Sequence, residues 1–165
     1  MFGMTLRAAG FLLLFCVLQL GWEGLRGGAI EYWTIHHATV RPAAFLVNLL
    51  TPDVHARAVD FSLRAPGGGL NILNGCEGME ALFLLLAAFV VAPLSWHARL
   101  YGILFGVVVV FTINQARILA LFYAFRREPA LFDPLHALVA PIAVVLLVSA
   151  YFYSWLFVSG RARTG

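Results

Sequence analysis

Three residues whose side chains can act together in thiol chemistry lie far apart in the sequence: Cys76, Arg117 and His136. The thiolate is the reactive form of cysteine, and a neighbouring histidine lowers the thiol pKa and accepts its proton. A fixed guanidinium can stabilise the oxyanion of a tetrahedral intermediate, or hold a substrate carbonyl or carboxylate. Together the three residue types predict acyl transfer through a thioester.

Taken singly, each of these residues also has a purely structural interpretation. An arginine within an apolar helix costs roughly 2.5–3.5 kcal/mol on insertion scales, and it marks either a functional site or an internal ion pair. Glu80 is an available partner for Arg117 in such a pair. His136 could cap a helix or lie at a membrane interface, and a lone thiol such as that of Cys76 is usually inert. The functional interpretation therefore depends on the three side chains meeting in space.

The composition indicates an integral membrane protein. Of the 165 residues, 62% are hydrophobic and only 12% are charged, whereas a soluble domain carries about 25% charged residues. The net charge of +3 comes from arginine without any lysine, and such a charge is typical of topology signals and of contact with anionic lipid. The composition excludes a soluble secreted enzyme, and no motif indicates a nucleic-acid partner.

The elements that position the three residues are apolar segments long enough for membrane helices, which need roughly 20 residues. We predict an all-α membrane protein that forms a single domain over residues 1–165. The first segment resembles a secretory signal, but Gln19, Trp22 and Glu23 occupy the places of a cleavage site, so we expect a retained helix. The four predicted transmembrane helices cover about residues 8–25, 78–94, 100–125 and 135–158.

The region 26–75 between the first two predicted spans is expected to lie outside the membrane. The apolar segment Ala43–Leu50 is too short to span a bilayer and predicts an interfacial helix. Residues 56–63 alternate loosely in polarity, and the turn residues 65–69 (Ala-Pro-Gly-Gly-Gly) precede another apolar stretch. This pattern predicts a short β-hairpin that leads directly to Cys76.

The second cysteine, Cys16, lies inside the first apolar run. A disulfide requires the two Cα atoms to approach within about 7 Å, which is awkward between a mid-bilayer position and a membrane edge. We therefore interpret Cys16 as a small apolar packing residue rather than a partner of Cys76.

Counting the spans brings the three chemical residues together. Four antiparallel spans put the start of the second, the end of the third and the start of the fourth on the same face of the membrane. Arg117 precedes Phe125 by eight residues, so at about 1.5 Å per residue it lies roughly 12 Å below that helix end. An arginine can cover much of this depth by snorkelling. Convergence at one membrane face is the main geometric prediction.

Loop charges favour an arrangement with both termini in the cytoplasm, which puts the site at the outer face. Long external regions follow the charge rule weakly, so the arginines of region 26–75 are compatible with it, while Arg126 and Arg127 stand against it. The arginines placed on the cytoplasmic side are Arg7, Arg99, Arg161 and Arg163.

Three local motifs resemble those of the exosortase/archaeosortase family, most closely exosortase H. They are Asn-Gly-Cys-Glu-Gly at 74–78 before a span, Asn-Gln-Ala-Arg-Ile at 114–118 late in the next span, and His136 at the start of the last. The likeness covers about residues 56–157. Glu77 follows the cysteine at a place where small or amide residues are more common in that family.

The resemblance implies a membrane cysteine transpeptidase or protease of the bacterial cytoplasmic (inner) membrane. Its partners would be exported proteins that end in a short motif, a transmembrane helix and a basic tail, with the IPTLxxWG kind of signal associated with the exosortase H subgroup. The resemblance implies that Cys76 attacks the motif, that His136 handles protons and that Arg117 steadies the oxyanion or orients the chain. No metal or other cofactor is implied. The residues expected to support the site or the substrate are Asn74, Glu77, Glu80 and Asn114.

Two other functions fit parts of the sequence. In a non-catalytic scaffold or accessory subunit, Arg117 and Glu80 would form a structural pair and Cys76 would be inert. In a small transporter, the polar residues of the third span would line a path, but they cluster toward one end of that span instead of running along it. These polar residues are Thr112, Asn114, Gln115 and Arg117.

Overall fold

A computed structural model describes residues 2–73 and 75–161 and confirms the predicted class, an all-α membrane protein with a small β-sheet. The first helix, α1, covers Phe2–Gly24. After the segment 25–78, which is described below, come α4 (Met79–Val91) and α5 (Trp96–Arg127). The chain then forms a 3₁₀ turn (Pro129–Leu131), the short α6 (Phe132–Pro134), a π-helical turn (Leu135–Val139) and finally α7 (Ala140–Arg161).

Three helical segments in the described part of the chain are long and apolar enough to cross a membrane: Met4–Gly24, Trp96–Arg127 and Pro129–Gly160. The second predicted span is shorter than expected, because α4 has 13 residues and is therefore about 20 Å long. Gly78 begins it in a left-handed conformation (φ +88°). Ala92 ends it in an extended conformation, as is typical of a residue that precedes a proline.

Residues 29–72 form a cap over one end of the bundle. It begins with one continuous helical stretch: α2 (Ala29–Tyr32), a π-helix (Trp33–Val40) and α3 (Arg41–Leu50). The predicted interfacial helix Ala43–Leu50 lies in α3, whereas the helical turns before it were not expected. Thr51 then leads through a 3₁₀ turn (Pro52–Val54) into the sheet.

The sheet of the cap has three antiparallel strands in the order β1-β2-β3. They are β1 (Arg57–Val59), β2 (Ser62–Ala65) and β3 (Gly68–Asn71). The predicted hairpin corresponds to β2 and β3, which a two-residue turn of Pro66 and Gly67 joins. β1 pairs with β2 as an additional strand.

The cap shares its hydrophobic core with the last turns of α5. Ile118, Leu121 and Phe122 are buried there, with Ile118 and Phe122 at most 1% exposed. Arg126 at the end of the same helix donates to the carbonyl oxygen of Pro66 at 2.7 Å. α5 is therefore longer than a bilayer requires because its final part supports the cap. The cap residues buried in this core are Ile35, Val40, Ala43, Ala44, Val47, Ala56, Leu63, Leu70 and Ile72.

The other half of α5 packs closely against α4 and α7 through two glycines four residues apart. A Cβ atom at Gly102 would lie 2.4 Å from the Phe89 ring, and one at Gly106 would lie 2.6 Å from Leu85. Small residues at this spacing let membrane helices approach each other. Tyr151 of α7 then reaches the carbonyl oxygen of Gly102 with its hydroxyl at 2.6 Å. This packing fixes α7, and with it the segment that carries His136, against α5.

Candidate active site

Cys76 lies in the tight connection between β3 and α4. Its backbone N–H donates to the Leu73 carbonyl oxygen at 2.9 Å, and glycines with positive φ flank it at Gly75 (+90°) and Gly78 (+88°). Such a conformation is accessible to glycine without the steric cost that a Cβ atom imposes. The thiol is half-buried as a result. Asn74, a predicted supporting residue, lies outside the residues that the structure describes.

His136 meets Cys76 across 60 positions of sequence. The distance from its Nε2 to the Cys76 Sγ is 3.3 Å. His136 lies in the π-helical turn, where Ala140 donates its N–H to the Leu135 carbonyl oxygen. Pro141 follows this turn and has no N–H of its own, so the ordinary helical bond is lost and the wider turn accommodates the change. The ring of His136 stacks on Phe132 with a centroid distance of 5.5 Å.

Arg117 completes the group from the side of α5. Its Nη1 donates to the Gly75 carbonyl oxygen at 3.1 Å, and its Nη2 lies 3.8 Å from the Cys76 Sγ. The guanidinium lies at the join between the cap and the helical bundle, on the helical turn that also carries buried Ile118. The predicted convergence therefore occurs, but beneath the cap, so that Arg117 reaches the site without the long snorkelling path that we expected.

Glu80 and Arg117 do not form the ion pair that the structural interpretation of Arg117 proposed. Among the residues that the structure describes, no ion pair within 4.0 Å joins these two side chains. Glu80 is exposed, and it lines with Gly75 and Arg117 a depression on the bundle side of the site. The hydrogen bonds of Arg117 instead go to the cysteine loop, which places its charge beside the thiol.

Glu77 is buried (7% exposed) and has a partner from the first helix. Trp22 near the end of α1, itself buried, donates its indole N–H to Glu77 Oε1 at 3.1 Å. This bond shows how the chain accommodates a carboxylate next to the cysteine, and it links α1 to the site. We did not predict the role of Trp22, for which the only sequence signal was a tryptophan at the end of an apolar segment.

The polar motif of α5 packs beneath the cysteine loop. Asn114 is buried (3% exposed), and a Cβ atom at Gly78 would lie 2.9 Å from its Cγ. Gln115 is also buried and donates to the Thr39 carbonyl oxygen of the cap at 3.3 Å. Within the described residues, several buried side-chain atoms of this region lack a hydrogen-bond partner. These atoms are Glu77 Oε2, Asn114 Oδ1, Gln115 Oε1 and Arg117 Nε.

The surroundings of Cys76 keep its thiol protonated. Burial raises the thiol pKa above its ordinary value, and the carboxylates of Glu77 and Glu80 raise it further, while the Arg117 guanidinium lowers it. A thiol in this state needs a base to become a nucleophile. The Nε2 atom of His136 can accept the proton when the neutral ring carries its own hydrogen on Nδ1.

Two open depressions lie near the site. One, here called the edge cleft, has a volume of about 430 Å³ and lies between β3 and the side chains of Phe125, Phe132 and His136, with Cys76 in its wall. The other, here called the membrane groove, has a volume of about 270 Å³ and lies between α1, α4 and α7. The membrane groove adjoins the depression at Arg117, because both are lined by Ala81, Leu84 and Val145.

Comparison with known proteins agrees with the resemblance seen in the sequence. The model of a family described as Transmembrane exosortase (Exosortase_EpsH) matches residues 1–153, which include all four apolar helices at least in large part. No curated protein and no solved structure is significantly similar to the chain.

Proposed function

This chain belongs to the transmembrane exosortase family, and we propose that it is a membrane-embedded cysteine transpeptidase that cleaves the C-terminal sorting signal of exported proteins. The observation that carries the proposal is the contact of 3.3 Å between Cys76 Sγ and His136 Nε2, with an Arg117 Nη atom 3.8 Å from the same sulfur. A nucleophile, a base and a fixed cation within hydrogen-bond reach of each other are the parts that acyl transfer requires.

In the first step, His136 Nε2 takes the thiol proton and Cys76 Sγ attacks the carbonyl carbon of a peptide bond in the motif. The carbonyl oxygen becomes an oxyanion, which the Arg117 guanidinium stabilises. When the C–N bond breaks, His136 returns its proton to the departing amine. The products are a thioester between Cys76 and the exported protein, and a free C-terminal tail.

In the second step, a nucleophile with an N–H or O–H group attacks the thioester carbon, and His136 takes its proton as a general base. The C–S bond breaks, and the thiolate recovers a proton from the imidazolium. An amine or hydroxyl acceptor gives transpeptidation, whereas water gives hydrolysis and release of the exported protein.

The membrane groove is the proposed binding place for the transmembrane helix of the substrate. It is apolar, lies between helices that can span a membrane, and leads to the depression at Arg117. Because lipid tails and the substrate helix are similarly apolar, the binding free energy of the helix comes mainly from close packing against the walls of the groove. A helix held there brings the residues just before it to Cys76. We place this arrangement in a bacterial inner membrane, with the site at the periplasmic face.

A co-expression experiment tests the proposed function. The substrate is a reporter protein fused to the tail of an exported protein from the same genome that ends in a short motif, an apolar helix and a basic cluster. We expect Cys76→Ala and His136→Ala to abolish processing, and Arg117→Ala to reduce it by about 10²–10³, the typical loss of an oxyanion donor. The measurement is the ratio of cleaved to intact reporter on immunoblots.

Matched variants of the same residue types control for stability. Cys16→Ala, His97→Ala and Arg64→Ala alter exposed residues away from the site and should process the reporter as the wild type does. A thioester to Cys76 trapped from the wild type would establish the covalent step. Full processing by the three site variants would contradict catalysis and favour a scaffold or accessory role.

A further inference from the structure

The sheet of the cap has an open edge on the side of the site. β3 is the last strand in the order β1-β2-β3. Ile72 donates its N–H to the Phe61 carbonyl oxygen at 2.8 Å, so this pair is a hydrogen-bonded one. In an antiparallel ladder such pairs alternate with pairs whose backbone groups point away from the partner strand. In the register of β2 and β3, the outward positions are Gly69 and Asn71.

These outward backbone groups face the edge cleft. Gly69, Asn71 and Leu73 line one side of it, and Phe125 and Phe132 line the other, with Cys76 and His136 at the same cleft. A glycine within a strand often marks a place where another backbone approaches closely. At Gly69 that backbone belongs to β2, because a Cβ atom there would meet the Leu63 carbonyl oxygen, and Gly68 packs against the Phe125 ring in the wall of the cleft. The outward N–H and C=O groups of Gly69 and Asn71 therefore remain as the open edge beside Cys76.

We propose that the motif of the substrate binds in extended form as a fourth strand on the open edge of β3. Backbone N–H and C=O groups of Gly69 and Asn71 would bond to alternate residues of the motif, and the aromatic wall would contact its side chains. Strand addition of this kind takes affinity from the main chain and specificity from alternate side chains. This inference rests on the proposed function and specifies how its substrate is held.

The opposite edge of the sheet does not offer the same arrangement. β1 forms that edge, and the depression beside it is lined by His55, Arg57, Val59 and Arg64, without Cys76 or His136. A peptide added to β1 would have all three strands of the sheet between it and the thiol. At about 4.8 Å between neighbouring strands, it could not present a carbonyl carbon to Cys76 Sγ.

Disulfide trapping tests the strand register. The enzyme carries Asn71→Cys in a Cys16→Ala, Cys76→Ala background, and the reporter tail carries one cysteine at each successive motif position in turn. Directly opposed strand residues have Cα atoms about 4.5–5.5 Å apart, within disulfide range. We expect crosslinking at the one motif position that lies directly opposite Asn71, because the next positions on the same face are about 7–8 Å away and out of disulfide range. We expect none with Val59→Cys on the β1 edge. Crosslinks at every position, or equal crosslinking from Val59→Cys, would overturn the inference.

A second measurement compares Asn71→Pro with Asn71→Ala in the enzyme that retains Cys76. Proline removes the outward N–H, whereas alanine keeps it, and both lose the side-chain bond from Ser62 Oγ. We expect Asn71→Pro to slow reporter processing by about tenfold relative to Asn71→Ala, the effect of one lost hydrogen bond. Equal rates for the two variants would contradict strand addition.

The outcomes separate this inference from the proposed function. Alkylation of Cys76 by a small maleimide reports whether each variant still forms the site. If Asn71→Pro disturbs the sheet, the disulfide-trapping experiment still determines the strand register. If the reporter is processed without Cys76, the proposed function fails. If processing depends on Cys76 but trapping shows no preference for one motif position, only the added strand is wrong.

Discussion

At the scale of single residues, the charges beside Cys76 act in opposite directions on its thiol. Glu77 contributes a full carboxylate next to the sulfur, and its indole partner Trp22 holds it in place. The Arg117 guanidinium on α5 lowers the thiol pKa and so opposes the effect of the Glu77 carboxylate, which raises it. Burial has the largest effect and raises the pKa of the Cys76 thiol, so the resting thiol is protonated and the nucleophile forms when His136 takes the proton.

The pH dependence of Cys76 alkylation tests this balance in a Cys16→Ala background. Glu77→Gln removes a charge that raises the thiol pKa, so we expect the alkylation midpoint to move to lower pH than in the parent protein. Arg117→Gln removes a charge that lowers the pKa, so its midpoint should move to higher pH. The measurement is the rate of maleimide labelling against pH in detergent micelles.

Asp53→Asn serves as the control for the loss of a carboxylate, because Asp53 is exposed in the 3₁₀ turn of the cap. Its midpoint should equal that of the parent protein. A Glu77→Gln midpoint that moves to higher pH would contradict the electrostatic account of the site.

At the scale of elements, the contact of α5 with α4 and α7 depends on its glycines. Gly106 is buried where Leu85 and Tyr151 approach it, and a Cβ atom there would lie 2.6 Å from Leu85 Cδ2 and 3.2 Å from Tyr151 Cε1. Leu85 could move aside for one methyl group, but not for a larger side chain. The position of α7, and so of His136, follows from this close approach.

We therefore expect Gly106→Leu to destabilise the protein by about 1–3 kcal/mol, the usual cost of overpacking a core. Thermal unfolding of the purified protein in micelles, followed by circular dichroism, measures the change. Val107→Leu is the matched control, because Val107 is the next residue and is 43% exposed; its change should stay within about 0.5 kcal/mol. Equal stabilities of the two variants would show that the glycine is not required.

At the scale of the whole molecule, the site lies where a cap and a helical bundle join. The cap supplies an open strand edge and leads into the cysteine loop, and the bundle supplies Arg117, His136 and an apolar groove. The helix of a bound substrate would lie in the groove and its motif against the cap. The motif and the transmembrane helix of the signal would thus bind to two different parts of the protein.

Filling the membrane groove tests this division. Ala88 of α4 lines the groove, and Ala88→Trp should exclude a substrate helix while leaving Cys76 and its partners in place. We expect reporter processing to fall about tenfold, which corresponds to roughly 1.4 kcal/mol of lost binding, with unchanged maleimide labelling of Cys76. Ala120→Trp, on an exposed position of α5, should process normally. Normal processing by Ala88→Trp would contradict the binding of the substrate helix in the membrane groove.

The class of the protein and the meeting of its three chemical residues were predictable from hydropathy and span counting. Hydropathy defines membrane helices because the bilayer sets their length, and short connections force neighbouring helices to be antiparallel. Cys76, Arg117 and His136 are therefore brought to one end by counting alone. The β2–β3 hairpin was also predictable, because Pro66 and Gly67 have local conformational preferences that require no knowledge of the rest of the chain.

How the cap, the bundle and the site fit together could not be predicted from local patterns. The cap covers the end of α5 because Ile118 and Phe122 pack against residues that are remote in sequence, such as Ile35. The bond between Trp22 and Glu77 spans 55 positions, and the open edge of β3 depends on which strands pair. Local sequence patterns indicate the conformation that a segment prefers and whether it is buried. Contacts between segments depend on how the segments pack against each other, and this cannot be predicted from any single segment.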